Sequence, residues 1–255
     1  MLDRDPGARV RSGALDCSEP LPPPAIVHDD GDVVAASKPA GEAVIPERDG
    51  PPEACLRRRL ERQLGRGLWV VHRIDRDASG LVVFAGSAEA HLRLSLAFER
   101  RQVRKTYLAF TAGAPESETG RIDVALHSAR KGKARPARSD EPGRREASTE
   151  YVVRKRWRRD DAIVSLIEAH PLTGRHHQIR VHLRSVGAPV LFDPLYGRGL
   201  MPPGLEGAPV GRLALHARGL DLPTPDDAGR LVLESPLPDD LEQLASWLDA
   251  TWEVE

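Results

Sequence analysis

The chain has 255 residues, 40% hydrophobic and 29% charged, enough for one large domain or two small ones around a substantial core. Two cysteines, Cys17 and Cys55, are too few for a disulfide scaffold, and no apolar run approaches the roughly 20 residues of a membrane helix. The net charge is −1, and the N-terminus mixes acids with arginines around no apolar core, so the expected setting is the reducing cytoplasm, with no export signal and no membrane partner.

Residues 1–24 carry the cluster Pro20-Leu-Pro-Pro-Pro24 without periodicity and are expected to form a flexible leader. Order is expected from Ala25-Ile26-Val27-His28 through the turn Asp29-Asp30-Gly31-Asp32 into a second strand at Val33–Ala36, which Lys38-Pro39-Ala40-Gly41 ends. Residues Glu53–Leu64 fit an Arg-rich helix. Leu68–Val71 and Leu81–Ala85 are β-rich runs flanking the polar stretch His72–Gly80. Ser87 suits the N-cap of a helix reaching about Arg101, because its hydroxyl can accept an otherwise unpaired amide. Leu92 with Leu96, and Leu94 with Phe98, give that helix two apolar rows.

Strands are expected at Arg104–Ala112, Glu150–Trp157 and Ala162–Ala169, with a Gly/Pro/Arg/Lys-rich loop over Ser128–Ser148. Between Arg121 and Arg159 there are 13 Lys/Arg against 5 Asp/Glu, a local +8. Such a patch matters more than the total when the partner is a polyanion. A helix over His176–Val186 turns Ile179, Leu183 and Val186 inward; strands at Arg212–Leu215 and Leu231–Glu234 precede a last helix, Pro238–Asp249. From Asp221 to Glu255 one Arg faces 10 acids, a local −9. Strands outnumber helices without a βαβ rhythm, which predicts an α+β fold on a largely antiparallel sheet.

Two segments concentrate the chemistry. In Val71-His72-Arg73-Ile74-Asp75-Arg76-Asp77-Ala78-Ser79-Gly80-Leu81, a carboxylate lies between two arginines in a polar loop bracketed by strands. Neighbouring cations favour the charged form of a carboxylate, which can then act as nucleophile or base. An Asp/Arg-rich turn held by surface salt bridges has the same composition. In Pro171-Leu-Thr-Gly-Arg-His-His-Gln-Ile-Arg-Val-His-Leu183, a loop leads into a helix with Gln178 and Arg180 in its first turns, where anions are favoured. His170, His176, His177 and His182 match no metal-ligand spacing, so no metal is expected, and His182 fits a hydrogen-bonded core histidine. Neither GxGxxG nor a P-loop occurs, and no nucleotide cofactor is expected.

Together these segments resemble the RluA-type family of pseudouridine synthases. The family's His-Arg-Leu-Asp-x-x-(Thr/Ser)-Ser-Gly appears as His72 to Gly80, with Ile74 for Leu and Ala78 for Thr/Ser. Its Lys-x-Tyr motif is Lys105-Thr106-Tyr107. Its Thr-Gly-Arg-Thr-His-Gln-Ile-Arg-Val-His runs from Thr173 to His182, with His176 for the usual Thr. The continuation is present as Gly187-Ala-Pro-Val190 and Asp193-Pro-Leu-Tyr-Gly197, with weaker echoes at Lys38–Gly41, Leu213–Ala217 and Glu234–Pro238. The resemblance spans about residues 25–249 in the family's order.

The resemblance implies a catalytic domain over 25–255, without a separate N-terminal RNA-binding domain. It implies a mixed, mainly antiparallel sheet flanked by helices, with the active-site cleft in the middle. It also implies a monomer that needs no cofactor and isomerises uridine in ribosomal or transfer RNA. Asp75 aligns with the catalytic aspartate, Tyr107 with a tyrosine packing on the target base, and Arg180 with the arginine that pairs with the aspartate. Arg73 aligns with an arginine that some members insert as the base leaves. His72, Lys105, Arg175, Gln178 and the cluster Arg130, Lys131 and Lys133 are candidate RNA contacts. The alternatives are a non-catalytic RNA-binding or ribosome-assembly protein on the same fold, which would be expected to lose Asp75, and a glycosidic hydrolase, which needs a second acid such as Asp77 or Asp193.

Overall fold

The structure is a computed structural model and describes residues 22–47, 50–51, 53–129, 132–197, 199–224 and 229–255. The expected leader lies outside these residues except for Pro22, Pro23 and Pro24, and so do Arg130 and Lys131. In chain order the first half forms β1 (Ala25–Asp29), β2 (Val33–Lys38), α1 (Leu56–Leu64), β3 (Trp69–Val70), β4 (Ser79–Ala85), α2 (Ala88–Glu99) and β5 (Arg104–Ala112). The second half adds β6 (Thr119–Asp123), β7 (Leu126–Ala129), β8 (Lys133–Pro136), β9 (Ser148–Arg159), β10 (Ala162–Pro171), α3 (Gln178–Ser185), β11 (Leu215–Pro223), β12 (Arg230–Glu234), α4 (Asp239–Thr251) and β13 (Glu253–Val254).

The fold is α+β. One sheet runs β1-β2-β4-β11-β5-β10-β9-β13, with β3 on β4, β6 on β9 and β12 on β11. Its pairings are antiparallel except where β4 meets β11. Every residue of β4 is buried, as expected of a strand covered on both faces. Its side chains alternate between two cores: Leu81, Val83 and Ala85 meet Ala90, Leu94 and Ala97 of α2, while Val82 and Phe84 meet Leu56 and Leu60 of α1. Burying each of the larger side chains contributes about 1.5–3 kcal/mol.

The Ser87 side chain caps α2 by accepting the Ala90 amide at 3.1 Å. Only one of the two expected apolar rows on α2 faces the core. Leu94 and Phe98 turn inward, but Leu92 is 65% exposed, because it lies about half a turn away from Ala90 and Leu94. The expected loop over Ser128–Ser148 contains the hairpin partner β8, paired with β7. The late strand expected to end at Leu215 instead begins there, and it continues through Gly219 to Pro223. Glycine usually weakens a strand, but here its position coincides with a register shift, and a Cβ would sit 3.2 Å from the Leu233 carbonyl.

The parallel step between β4 and β11 pairs Ser79 with His216 and Gly80 with Ala217. Gly80 has φ +117°, and a Cβ there would lie 2.3 Å from the Ala217 carbonyl oxygen, so only glycine fits. Beside it, His216 Nε2 donates to the Ser235 carbonyl at 3.1 Å, which leaves Nδ1 to accept the Ser79 hydroxyl at 3.0 Å. Burial pushes this histidine down to about 4, so it is neutral and its tautomer is set. The end of the Asp75 loop is thereby fixed to the middle of the sheet.

Candidate active site

The loop from Val71 to Ala78 carries Asp75 between β3 and β4. Ile74 is 8% exposed and joins the α1 core, which anchors the loop beside Asp75. His72 points into the protein: its Nε2 accepts the Val83 amide at 2.9 Å and its ring stacks on Phe98 at 4.7 Å. Burial pushes His72 down to about 3, so it is a neutral acceptor. A turn closes the loop where the Ala78 amide donates to the Asp75 carbonyl at 3.2 Å.

The same loop is tied to the segment after β2. Lys38 is 1% exposed, and its Nζ donates to the carbonyls of Pro39, Glu42 and Arg76 at 2.8, 2.8 and 2.9 Å. Burial pushes Lys38 down to about 7 against the attraction of Glu42, Asp77 and Asp75. The Gly41 amide also donates to the Arg76 carbonyl, and Arg76 Nε returns a bond to the Gly41 carbonyl, each at 2.9 Å.

The second motif approaches from the opposite side. His177, with φ 54°, is the left-handed residue from which α3 starts. Gln178, 4% exposed, binds inside the protein: Oε1 accepts the Thr173 hydroxyl (2.6 Å) and the Arg175 amide (3.0 Å), while Nε2 donates to the Ser148 carbonyl and the Thr149 hydroxyl (2.9 Å each). Two residues on, about half a turn away, Arg180 is 2% exposed. It donates through Nε and Nη2 to Asp193 at 2.7 and 2.8 Å, and through Nη1 to Asp75 at 3.1 Å. Burial works against the guanidinium charge, but the two carboxylates outweigh it and hold its pKa above the ordinary value. Burial also opposes the Asp193 charge, yet Arg180 and the amides of Leu195 and Tyr196 hold its carboxyl below the ordinary value. His182 is fully buried between the Thr149 hydroxyl and the Val124 carbonyl, both at 2.9 Å.

Asp75 lies in a cleft of about 1110 Å³ that opens over the central strands. Tyr107 of β5 forms one wall, and burial, reinforced by the Asp75 charge, raises its phenol above the ordinary value, so it keeps its proton. Lys105 stands two residues away on the same wall, with its pKa lowered by burial and by Arg101. Arg73 is exposed at the rim and has no hydrogen bond or ion pair with a described residue. Arg175 lines the other rim, with Nε on the Glu146 carbonyl at 3.1 Å. Lys133 begins β8, outside the cleft, in the hairpin that reaches the loop before α3 through a bond between the Gly132 carbonyl and His176 at 2.9 Å.

A family model described as RNA pseudouridylate synthase matches residues 32–185, which contain both motifs. The chain belongs to the RNA pseudouridylate synthase family. It is 34% identical to ribosomal large subunit pseudouridine synthase D of Nitrosomonas europaea over 86% of this chain, which spans 63% of that relative's length. It is 30% identical to dual-specificity RNA pseudouridine synthase RluA of Vibrio vulnificus, covering 88% of each chain. Human RNA pseudouridylate synthase domain containing 4 superposes with a TM-score of 0.71 at 26% identity, covering 91% of this chain and 94% of that one.

In this family member the fold joins residues that the sequence separates widely, since Asp75 and Arg180 are bonded across 105 positions. Asp193 was legible as part of a motif and as a candidate second acid, but not as the partner of Arg180. Its side chain also accepts the Leu195 and Tyr196 amides at 2.8 and 3.0 Å, so the Asp-Pro-Leu-Tyr turn was the available signal for an anchored carboxylate. Lys38 was visible as punctuation after a strand and as part of a weak family echo, and nothing in its local sequence marks a buried ammonium.

Proposed function

We propose that this family member converts uridine in RNA to pseudouridine, with Asp75 as the carboxylate that attacks the nucleoside or assists cleavage of its C–N bond. The observation that carries this is the single contact from the buried Arg180 to Asp75, made while Asp193 holds the guanidinium in place. The base detaches, turns and rejoins through carbon, with no net oxidation and no group supplied from outside, so no cofactor is required. Tyr107, protonated and on the cleft wall, stacks on the base and is placed to move the proton displaced from carbon.

A stacked uridine must first leave its helix, at a cost of a few kcal/mol. Arg73 has the reach and freedom to fill the vacated space, and Lys105 and Arg175 face the phosphates at the rim. His72 and Gln178, in the cleft lining, hold the two motif loops in register through their inward hydrogen bonds. Lys133, with Arg130 and Lys131, adds sequence-independent attraction for the RNA backbone. The targets are uridines in single-stranded or loop segments of ribosomal or transfer RNA, where bases splay out cheaply. The enzyme acts as a cytoplasmic monomer, with residues 25–255 as its catalytic domain.

The test is Asp75→Asn, which keeps the side-chain size and removes the charge. Pseudouridine yield on the cell's own RNA should fall below detection while circular dichroism and RNA binding are retained. Yield near the wild-type rate in the folded variant would overturn the assignment.

A further inference from the structure

Around Asp75 the structure places two imidazoles that the proposed chemistry does not use. One ligand atom from each of Asp75, His176 and His177 lies within 4.8 Å of the others, and His177 Nε2 is 4.0 Å from Asp75 Oδ2. The two rings stack with centroids 3.6 Å apart, and both line the cleft. We infer that Asp75, His176 and His177 form a binding site for a divalent transition ion of the zinc class, whose occupancy closes the uridine pocket.

The outer contact of His176 is that of a metal ligand. A bound imidazole usually donates its remaining N–H to an oxygen that fixes the ring. His176 Nε2 bonds the Gly132 carbonyl at 2.9 Å, and a carbonyl only accepts, so the neutral ring keeps its lone pair on Nδ1. His177 Nδ1 meets the Tyr196 hydroxyl at 2.8 Å; that hydroxyl already accepts the Ala134 amide at 2.7 Å, so without an ion it donates to Nδ1 and the Nε2 proton faces Asp75, and an ion at Nε2 shifts that proton to Nδ1. The charge balance also favours a cation. Asp75 and Asp193 share the one guanidinium of Arg180, and Asp193 takes the two shorter bonds; Arg180 Nη1 holds Asp75 Oδ2, the same oxygen that lies 4.0 Å from His177 Nε2, so Oδ1 is the oxygen left for an ion once the carboxylate turns. Two nitrogens and one carboxylate suit zinc, nickel or cobalt over magnesium or calcium, and the cleft leaves a fourth position for water. Tetrahedral zinc wants its ligand atoms about 3.3 Å apart, so the ligands must close by up to about 1.5 Å. His176 is exposed and can swing inward.

Sequence spacing hides such a site, because its carboxylate lies about 100 positions before the histidines. His176 is also the position where the family's usual residue is threonine, which offers no imidazole.

The site is tested on the purified full chain with Co²⁺ as a spectroscopic probe and Zn²⁺ by calorimetry. Co²⁺ should give a saturable visible absorption with one ion per chain. His176→Thr, with His176→Gln as a second variant, should weaken binding by at least the ~10–100-fold that outer-shell partners alone contribute. Zn²⁺ should inhibit isomerisation by the wild type reversibly on chelation, and His176→Thr, active without metal, should need proportionally more Zn²⁺. The cobalt titration requires no turnover, so it decides the site even where the proposed catalytic role of Asp75 fails. No saturable Co²⁺ signal, or equal affinity in wild type and both variants, would overturn the inference.

Discussion

Replacing Arg180 by methionine removes the one cation that serves two carboxylates of very different exposure. The Asp193 side chain is 1% exposed and that of Asp75 is 21% exposed. Breaking a buried pair costs ~3–5 kcal/mol, because the remaining charge is left in a poor solvent. The contact to the half-open Asp75 is screened and contributes under ~1 kcal/mol. For a protein of this size each kcal/mol moves the melting temperature by ~2–4 °C, so Arg180→Met should lower it by ~6–20 °C. Asp75→Asn should lower it by less than ~4 °C, although both variants lose turnover.

Acidification supplies a second signature. In the wild type the folded Asp193 carboxyl lies below 3.8, so its stabilising contribution is present above that value and is lost as pH falls through the folded one. In Arg180→Met the stranded carboxyl is raised by burial and is relieved by taking a proton, so the gap to wild type narrows at low pH. Differential scanning calorimetry from neutral to acid pH measures both effects. An Arg180→Met melting temperature within ~2 °C of wild type at neutral pH, or a gap that widens on acidification, would refute the reasoning.

Tyr107→Phe should bind RNA as the wild type does but turn over more slowly, and Tyr107→Leu should lose stacking as well; single-turnover rates beside a binding titration separate the two effects. Lys38→Met leaves three carbonyl oxygens without their shared donor and should cost upwards of ~2 kcal/mol in denaturant melts. Its turnover should fall with little change in RNA affinity, since Lys38 touches the Asp75 loop and not the open cleft. Exchanging Arg130, Lys131 and Lys133 for glutamine should weaken binding to different RNAs alike and flatten the salt slope by ~0.7 for every single-stranded phosphate that is no longer neutralised. Unchanged affinity and slope would leave the hairpin inert.

The sequence was legible where local physics decides. Ser87 capped its helix, the apolar run of β4 became a central strand, and His182 became a buried, bonded histidine. It was less legible where tertiary contacts override local signals. Gly219 marks a break in a strand pattern, yet β11 runs through it because a neighbouring backbone approaches closely there. Leu92 matched the helix period but fell on the solvent face, which depends on where the sheet lies. At the site, the motifs located Asp75 and Arg180 but did not separate cleft residues with free side chains from those tied up in hydrogen bonds. His72 and Gln178 sit within the motifs, and only their hydrogen bonds show that they brace the loops.

The position of β11 bears on synthesis of the chain. This strand begins at residue 215 of 255 yet lies between β4 and β5, in the middle of the sheet. Until it emerges from the ribosome, the Ser79–Gly80 end of β4 and the facing edge of β5 have no strand partner, and Ser79, Gly80 and Tyr107 lack the neighbours that seat them. The sheet therefore cannot form in step with translation: the nascent chain must hold two open edges apart until β11 has been made. Truncations ending before Leu215 are expected to aggregate, where truncations within β13, at the sheet's outer edge, are expected to stay soluble.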